Sequence, residues 1–123
     1  MEFIKEFEKN KNPVQRLEES KRLRAKHFDR VPIVVDRANR HAPKMQKCKF
    51  LCPVDLTFGQ FMAVVRKRLA NEHKMQPDQA LFFFLAKKNV LVPTSALISQ
   101  LFQEHAEDGF LIVTYALEST FGA

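Results

Sequence analysis

An α+β fold is predicted for this chain, with one long helix across a mixed sheet of four or five strands and two helical segments ahead of it. Three observations carry the prediction. Residues 57–69 join a helix-start signature to apolar residues at helical spacing. Short β-branched or aromatic runs stand on both sides of that helix, at 31–36, 47–53, 80–85, 90–92 and 110–117. The chain has 123 residues, 46% of them hydrophobic, which suits a single packed core. No apolar run approaches the ~20 residues needed to cross a bilayer.

From the start, Phe3, Ile4 and Phe7 sit at helical spacing among charges, and Asn10-Lys-Asn-Pro13 breaks that segment because proline disfavours helix in the residue before it. Residues 14–27 read as a second, strongly charged helix with Pro13 at its first turn. The run 31–36 is β-branched, residues 37–46 form a polar basic connection, and 47–53 is a second strand that can pair with the first as a long-looped hairpin.

In that second strand, alternation puts Lys47, Lys49 and Leu51 on one face and Cys48, Phe50 and Cys52 on the other. Lysines mark a sheet edge, and an edge strand is a docking rail for an extended peptide. Thr57 and Gln60 then form a capping box ahead of Phe58, Phe61, Met62, Val65 and Leu69, with Arg66, Lys67 and Arg68 facing outward. Residues 71–78 are a polar loop. The triple-phenylalanine run 80–85 is a buried strand, 90–92 its short partner, and Thr94 or Ser95 caps a short helix carrying Leu97, Ile98, Leu101 and Phe102. Residues 110–117 form the most uniformly apolar strand, as befits a central position covered on both sides. A long helix across such a sheet is the β-grasp, or ubiquitin-like, arrangement.

Composition narrows the function. All twenty Lys and Arg lie at or before Lys88, against ten acids in that stretch and four after it, so the first 88 residues carry +10 and the last 35 carry −4. Such a surface suits acidic peptides, anionic lipid or nucleic acid. No nucleic-acid-binding signature accompanies it, and most phenylalanines fall on core-facing patterns, so no nucleic-acid partner is expected. The charged first twelve residues are no secretory signal, and a cytoplasmic protein is expected. Cys48 and Cys52 share a strand face about 13 Å apart, too far for a disulfide while the strand is extended. A single such pair with no histidine at finger-like spacing leaves no metal site, and three scattered glycines make no phosphate cradle, so no cofactor is expected. No catalytic constellation is visible, and the chain reads as a binding module and not as an enzyme.

Seven motifs then fall in one order: Asp29-Arg-Val-Pro32, Phe50-Leu-Cys-Pro-Val-Asp-Leu-Thr57, Gly59-Gln-Phe61, Arg66-Lys-Arg68, Ala80-Leu-Phe-Phe-Phe84, Pro93-Thr-Ser95 and Gln103-Glu-His105. From about residue 21 to residue 122 the sequence resembles the GABARAP-like autophagy ubiquitin-like modifier family. The resemblance implies a helical segment over residues 1–28 packed on a ubiquitin-like domain over 29–117, with a flexible tail over 118–123 that carries a processing site. It implies cleavage after Gly122 by a dedicated cysteine protease, loss of Ala123, and transfer of the Gly122 carboxylate through activating and conjugating enzymes to phosphatidylethanolamine on the autophagosome membrane. Glycine suits such a site because it lacks a Cβ and threads a narrow channel.

It also implies capture of receptors bearing an aromatic-x-x-aliphatic motif. A first pocket, for the aromatic residue, would be lined by Glu19, Leu23, Pro32, Val34, Lys49, Leu51 and Phe110. A second, for the aliphatic residue, would use Phe50, Cys52, Pro53, Leu56, Phe61, Val64 and Val65. Arg30, Lys47, Lys49 and Arg68 would attract the acidic residues flanking the motif. Cys52 stands where relatives commonly have valine, which should make the second pocket slightly smaller and sensitive to oxidation. Two other readings stay open at this point: a peptide-binding scaffold with an inert tail, and a basic module for RNA or anionic membranes.

Overall fold

In the computed structural model, which describes residues 1–118, the elements follow in the order α1 (Glu2–Asn10), α2 (Pro13–Lys26), β1 (Arg30–Arg37), β2 (Lys49–Pro53), α3 (Phe58–His73), β3 (Phe82–Leu85), β4 (Val90–Leu91), α4 (Ile98–His105) and β5 (Leu111–Ala116). The strands make one five-stranded sheet ordered β2-β1-β5-β3-β4. β1 pairs antiparallel with β2 and parallel with β5, and β3 runs antiparallel to both β4 and β5. The predicted β-grasp arrangement with two leading helices is therefore the observed one.

Strand alternation builds a core on each side of the sheet. On one side Ile33, Val35, Phe50, Leu111, Val113 and Tyr115 meet Phe58, Phe61, Val65 and Leu69 of α3 and Ile98 and Leu101 of α4. On the other, Val34, Phe110 and Ile112 are covered by Ile4 and Phe7 of α1. Every residue of β5 is buried, as its unbroken apolar run predicts. Asn12 and Thr57 each accept a hydrogen bond from the backbone N–H three residues on, and Gln15 and Gln60 accept from the cap backbone, so α2 and α3 both begin in complete capping boxes.

Long-range polar ties hold the leading helices down. The buried Asp36 carboxylate at the end of β1 accepts from the N–H groups of Phe3 (2.9 Å) and Ile4 (3.2 Å), closing the positive end of α1. Arg16 is 7% exposed despite its charge; it donates to Asp108 (2.9 Å) and to the carbonyls of Glu8 and Lys11 at the end of α1. Ser20 Oγ donates to the Gly109 carbonyl at 2.6 Å. Gly109 has φ +86°, and a Cβ there would lie 2.4 Å from Ser20 Cβ, so both conformation and contact require glycine.

Two expectations are corrected. Neither Thr94 nor Ser95 caps α4; the cap is Leu97, whose N–H donates to Gln100 Oε1 at 3.2 Å. The capping pattern on Thr94 and Ser95 is overridden because their segment serves α3 instead: Thr94 O accepts from Gly59 N–H and Ala96 O from Phe58 N–H, both at 2.9 Å. α3 also runs on to His73, because its end is tied to the β1–β2 connection: Glu72 accepts from Gln46 N–H at 2.9 Å and His73 Nε2 meets the Lys44 carbonyl.

Candidate functional site at the β2 edge

Among the described residues β2 has a strand neighbour on one side only. Its register places Leu51 opposite Pro32 and Lys49 opposite Val34. One step further along, Val35 N–H donates to Cys48 O at 2.8 Å, which marks 35/48 as a hydrogen-bonded pair. Alternation of the antiparallel ladder then makes 34/49 and 32/51 the non-bonded pairs. Pro32, with no N–H to give, sits where none is required. The backbone N–H and C=O groups of Lys49 and Leu51 consequently point away from β1, toward the open edge.

Around Lys49 and Leu51 lie the residues expected to form the first pocket. Leu23 of α2 and Lys49 and Leu51 of β2 are half-buried, whereas Pro32 is buried opposite Leu51. Lys49 Nζ donates to Glu19 at 2.9 Å and lies 4.9 Å from the centre of the Phe7 ring. Lys11 binds the other Glu19 oxygen. Burial pushes the Glu19 carboxyl up, but the two ammonium groups more than offset it and hold it below the usual carboxylate range. A hollow of about 640 Å³ runs along α2 beside this cluster, lined by Lys11, Glu19, Arg22, Leu23, Ala25 and Lys26. Val34 and Phe110 differ from expectation: both are sealed under α1, where Phe7 packs edge-on against Phe110 at 4.9 Å.

The second group is also brought together, but as filled core. Phe50, Cys52, Phe61 and Val65 are all buried, with Phe50 edge-on to Phe61 at 5.7 Å. Leu56 and Pro53 are half-buried and only Val64 is well exposed. The open feature here is a hollow of about 360 Å³ lined by Val64, Lys67, Arg68, Asn71 and Glu72. Lys47 and Arg68 approach the Phe50 ring at 5.4 and 5.2 Å, so two cations flank the strand's core-side aromatic. Arg30 is exposed opposite Pro53 at the far end of the edge. Both thiols are free and buried, and burial is the main cause that pushes each up to about 11. A protonated, covered thiol reacts slowly, so the expected oxidation sensitivity of Cys52 finds no support.

Sequence reasoning missed Lys11 and Phe7. They reach this site only because α1 folds back over β1, and no local pattern marks that. Gly122 and Ala123 lie outside the described residues.

A mixed sheet crossed by one long helix, with two helices added at the start, defines a ubiquitin-like protein. The comparisons agree. The family profile described as autophagy protein Atg8, ubiquitin-like, matches residues 15–122. Autophagy-related protein 8a of Arabidopsis thaliana is 47% identical over 115 residues, covering 91% of this chain and 89% of the relative. Autophagy-related protein 8A of rice (Oryza sativa subsp. indica) is 45% identical over 118 residues, covering 94% of each. Among solved structures, Trypanosoma brucei ATG8 superposes with a TM-score of 0.80 at 32% identity, covering 94% of this chain and 97% of that one. Plasmodium falciparum Atg8 in complex with an Atg3 peptide gives 0.77 at 26%, covering 91% and 95%. The chain belongs to the Atg8 family of ubiquitin-like autophagy proteins, which are modifiers and not enzymes. No helix among the described residues is long and apolar enough to cross a membrane.

Proposed function

We propose that this chain is a conjugated adaptor: it is cleaved after Gly122, joined to phosphatidylethanolamine, and then holds receptors with aromatic-x-x-aliphatic motifs at the autophagosome membrane. The observation that carries the receptor half is the open β2 edge, where Lys49 and Leu51 turn unpaired backbone groups outward. A ligand strand added there gains main-chain hydrogen bonds, and its alternate side chains drop to the two faces of β2. One face offers half-buried Leu51, with Pro32 buried opposite it on β1. The other offers Val64 and, once Phe61 and Phe50 shift, the Cys52–Val65 core. The motif's aromatic residue enters the first, its aliphatic residue the second, and flanking carboxylates meet Arg30, Lys47, Lys49 and Arg68. Lys49 must leave Glu19 to do this, so that ion pair is the latch on the first pocket. The Atg3 peptide held by the Plasmodium falciparum Atg8 supports a peptide-binding role here too.

The tail half rests on the family match reaching residue 122, and its chemistry belongs to the protease and to the activating and conjugating enzymes. Two acyl chains on the conjugated lipid give the stable anchorage that one chain does not.

Binding of an acidic-flanked motif peptide to the full chain, measured by calorimetry, tests the first half. Leu51→Ala is the suitable variant because Leu51 is only half-buried; truncating the sealed Phe110 would cost about 3–5 kcal/mol of stability and confuse the result. At least fivefold weaker binding is expected, and unchanged affinity would overturn the assignment of the edge. For the second half, Gly122→Ala should stay cytosolic and never gain the mobility of a lipidated form. Normal lipidation of that variant would leave a tail role for Gly122 untenable.

A further inference from the structure

On the opposite flank of α2 from the β2 edge lies a groove between α2 and α4 of about 860 Å³. Its floor is apolar, from Val31 and Val54, and its walls carry Leu17 and Phe28 from the α2 side and Phe102 from α4. Leu17 is 41% exposed and Phe28 88%, an unusual position for a phenylalanine unless something covers it. Lys21 and Arg24 stand in the same wall. Whereas Lys11, Arg16, Arg37, Lys49 and Lys87 each pair with a carboxylate, Lys21 and Arg24 have no ion-pair partner among the described residues. Arg24 lies over the Phe102 ring at 4.9 Å, a stacking that fixes the guanidinium while leaving its in-plane N–H donors for a carboxylate.

We infer that this groove takes an acidic amphipathic helix from a protein partner, its apolar stripe against Leu17, Phe28 and Phe102 and its carboxylates on Lys21 and Arg24. Two features select a helix over an extended peptide or a lipid surface. The one residue of a named strand in the groove lining is Val31, whose ladder partner is Cys52 of β2, so the groove presents no run of open strand to bond an extended backbone; a helix satisfies its own. The apolar area is also a trough between two helices, which a third helix fills and a flat bilayer does not.

The test is backbone NMR of the labelled full chain titrated with a stapled amphipathic helix of about four turns, leucines along one stripe and glutamates beside it. A twin with lysine for glutamate is the charge control. Saturable shifts are expected around positions 17–31 and 99–109, with the basic twin at least tenfold weaker. Lys21→Glu with Arg24→Glu should weaken the acidic helix at least tenfold, and Phe28→Ser severalfold, while a motif peptide still binds the β2 edge. Phe28→Ser is chosen because so exposed a side chain contributes little to folding. Absence of saturable shifts, shifts confined to β2, or indifference to charge reversal would overturn the inference. So would perturbation of the groove by phosphatidylserine-containing vesicles but not by the acidic helix, which would make it a lipid-facing surface.

Discussion

Thr114 is the one buried side chain among the described residues whose polar atom has no hydrogen-bond partner. It sits on β5 level with Asp36, on the face that α1 covers. Thr114→Val keeps the shape and removes the stranded hydroxyl, so the urea midpoint should hold or rise, by up to about 1–2 kcal/mol in stability. A loss above about 1 kcal/mol would show that the hydroxyl has a partner. The two thiols act at the same scale. Burial raises Cys48 and Cys52 from 9.0 to about 11, and it raises Tyr115 as well, against the Met45 N–H that it accepts. Between about pH 9 and 11 the unfolded chain therefore releases thiol protons that the folded chain keeps. Stability is full below that window and falls as pH rises through it, by roughly 2–3 kcal/mol per thiol. Urea midpoints at about pH 8 and about pH 10.5 should diverge less in a Cys48→Ala, Cys52→Val variant; equal divergence would place the alkaline loss elsewhere.

Among the elements, α1 is the one whose attachment the sequence conceals. Its apolar stripe of Ile4 and Phe7 is readable, but the Asp36 cap and the Arg16 tie to Asp108 join residues 32 to 92 positions apart, with no local pattern to announce them. Asp36→Ala should expose the amides of Phe3 and Ile4, raising hydrogen exchange across α1 while α3 keeps its protection; the local cost is about 1–2 kcal/mol. Uniform loss of protection in both helices would mean that α1 and the sheet unfold as one unit. Elements with local signatures read well: Thr57 and Gln60 announced α3, and the apolar run before residue 117 announced β5. The α4 start misled because Thr94 and Ala96 carbonyls are engaged by α3, a tertiary demand that overrides a local cap. At the candidate site, the edge character of β2 was legible from its lysines and its alternation. That Phe7 and Lys11 close one side of it, and that Phe61 and Val65 fill the other, depends on packing that alternation does not encode.

For the molecule as a whole, charge is arranged by function of surface. Carboxylates within the chain neutralise the bases that staple α1 and α2 to the sheet, and Lys47 and Arg68 beside β2 have no carboxylate partner among the described residues. A motif peptide with acidic flanks should therefore lose affinity severalfold between low salt and about 0.5 M salt, mostly through slower association, and a neutral-flanked peptide should lose little. Equal salt sensitivity of the two would argue that these cations do not steer the ligand. The parallel pairing of β1 with β5 has a practical side. The Met1 amino group lies 3.8 Å from Asp36, Asp36 is level with Thr114, and the chain leaves β5 two positions later at Ala116. A fluorescent reporter joined ahead of Met1 would thus hang over the exit of the C-terminal segment and crowd any enzyme that must grip it.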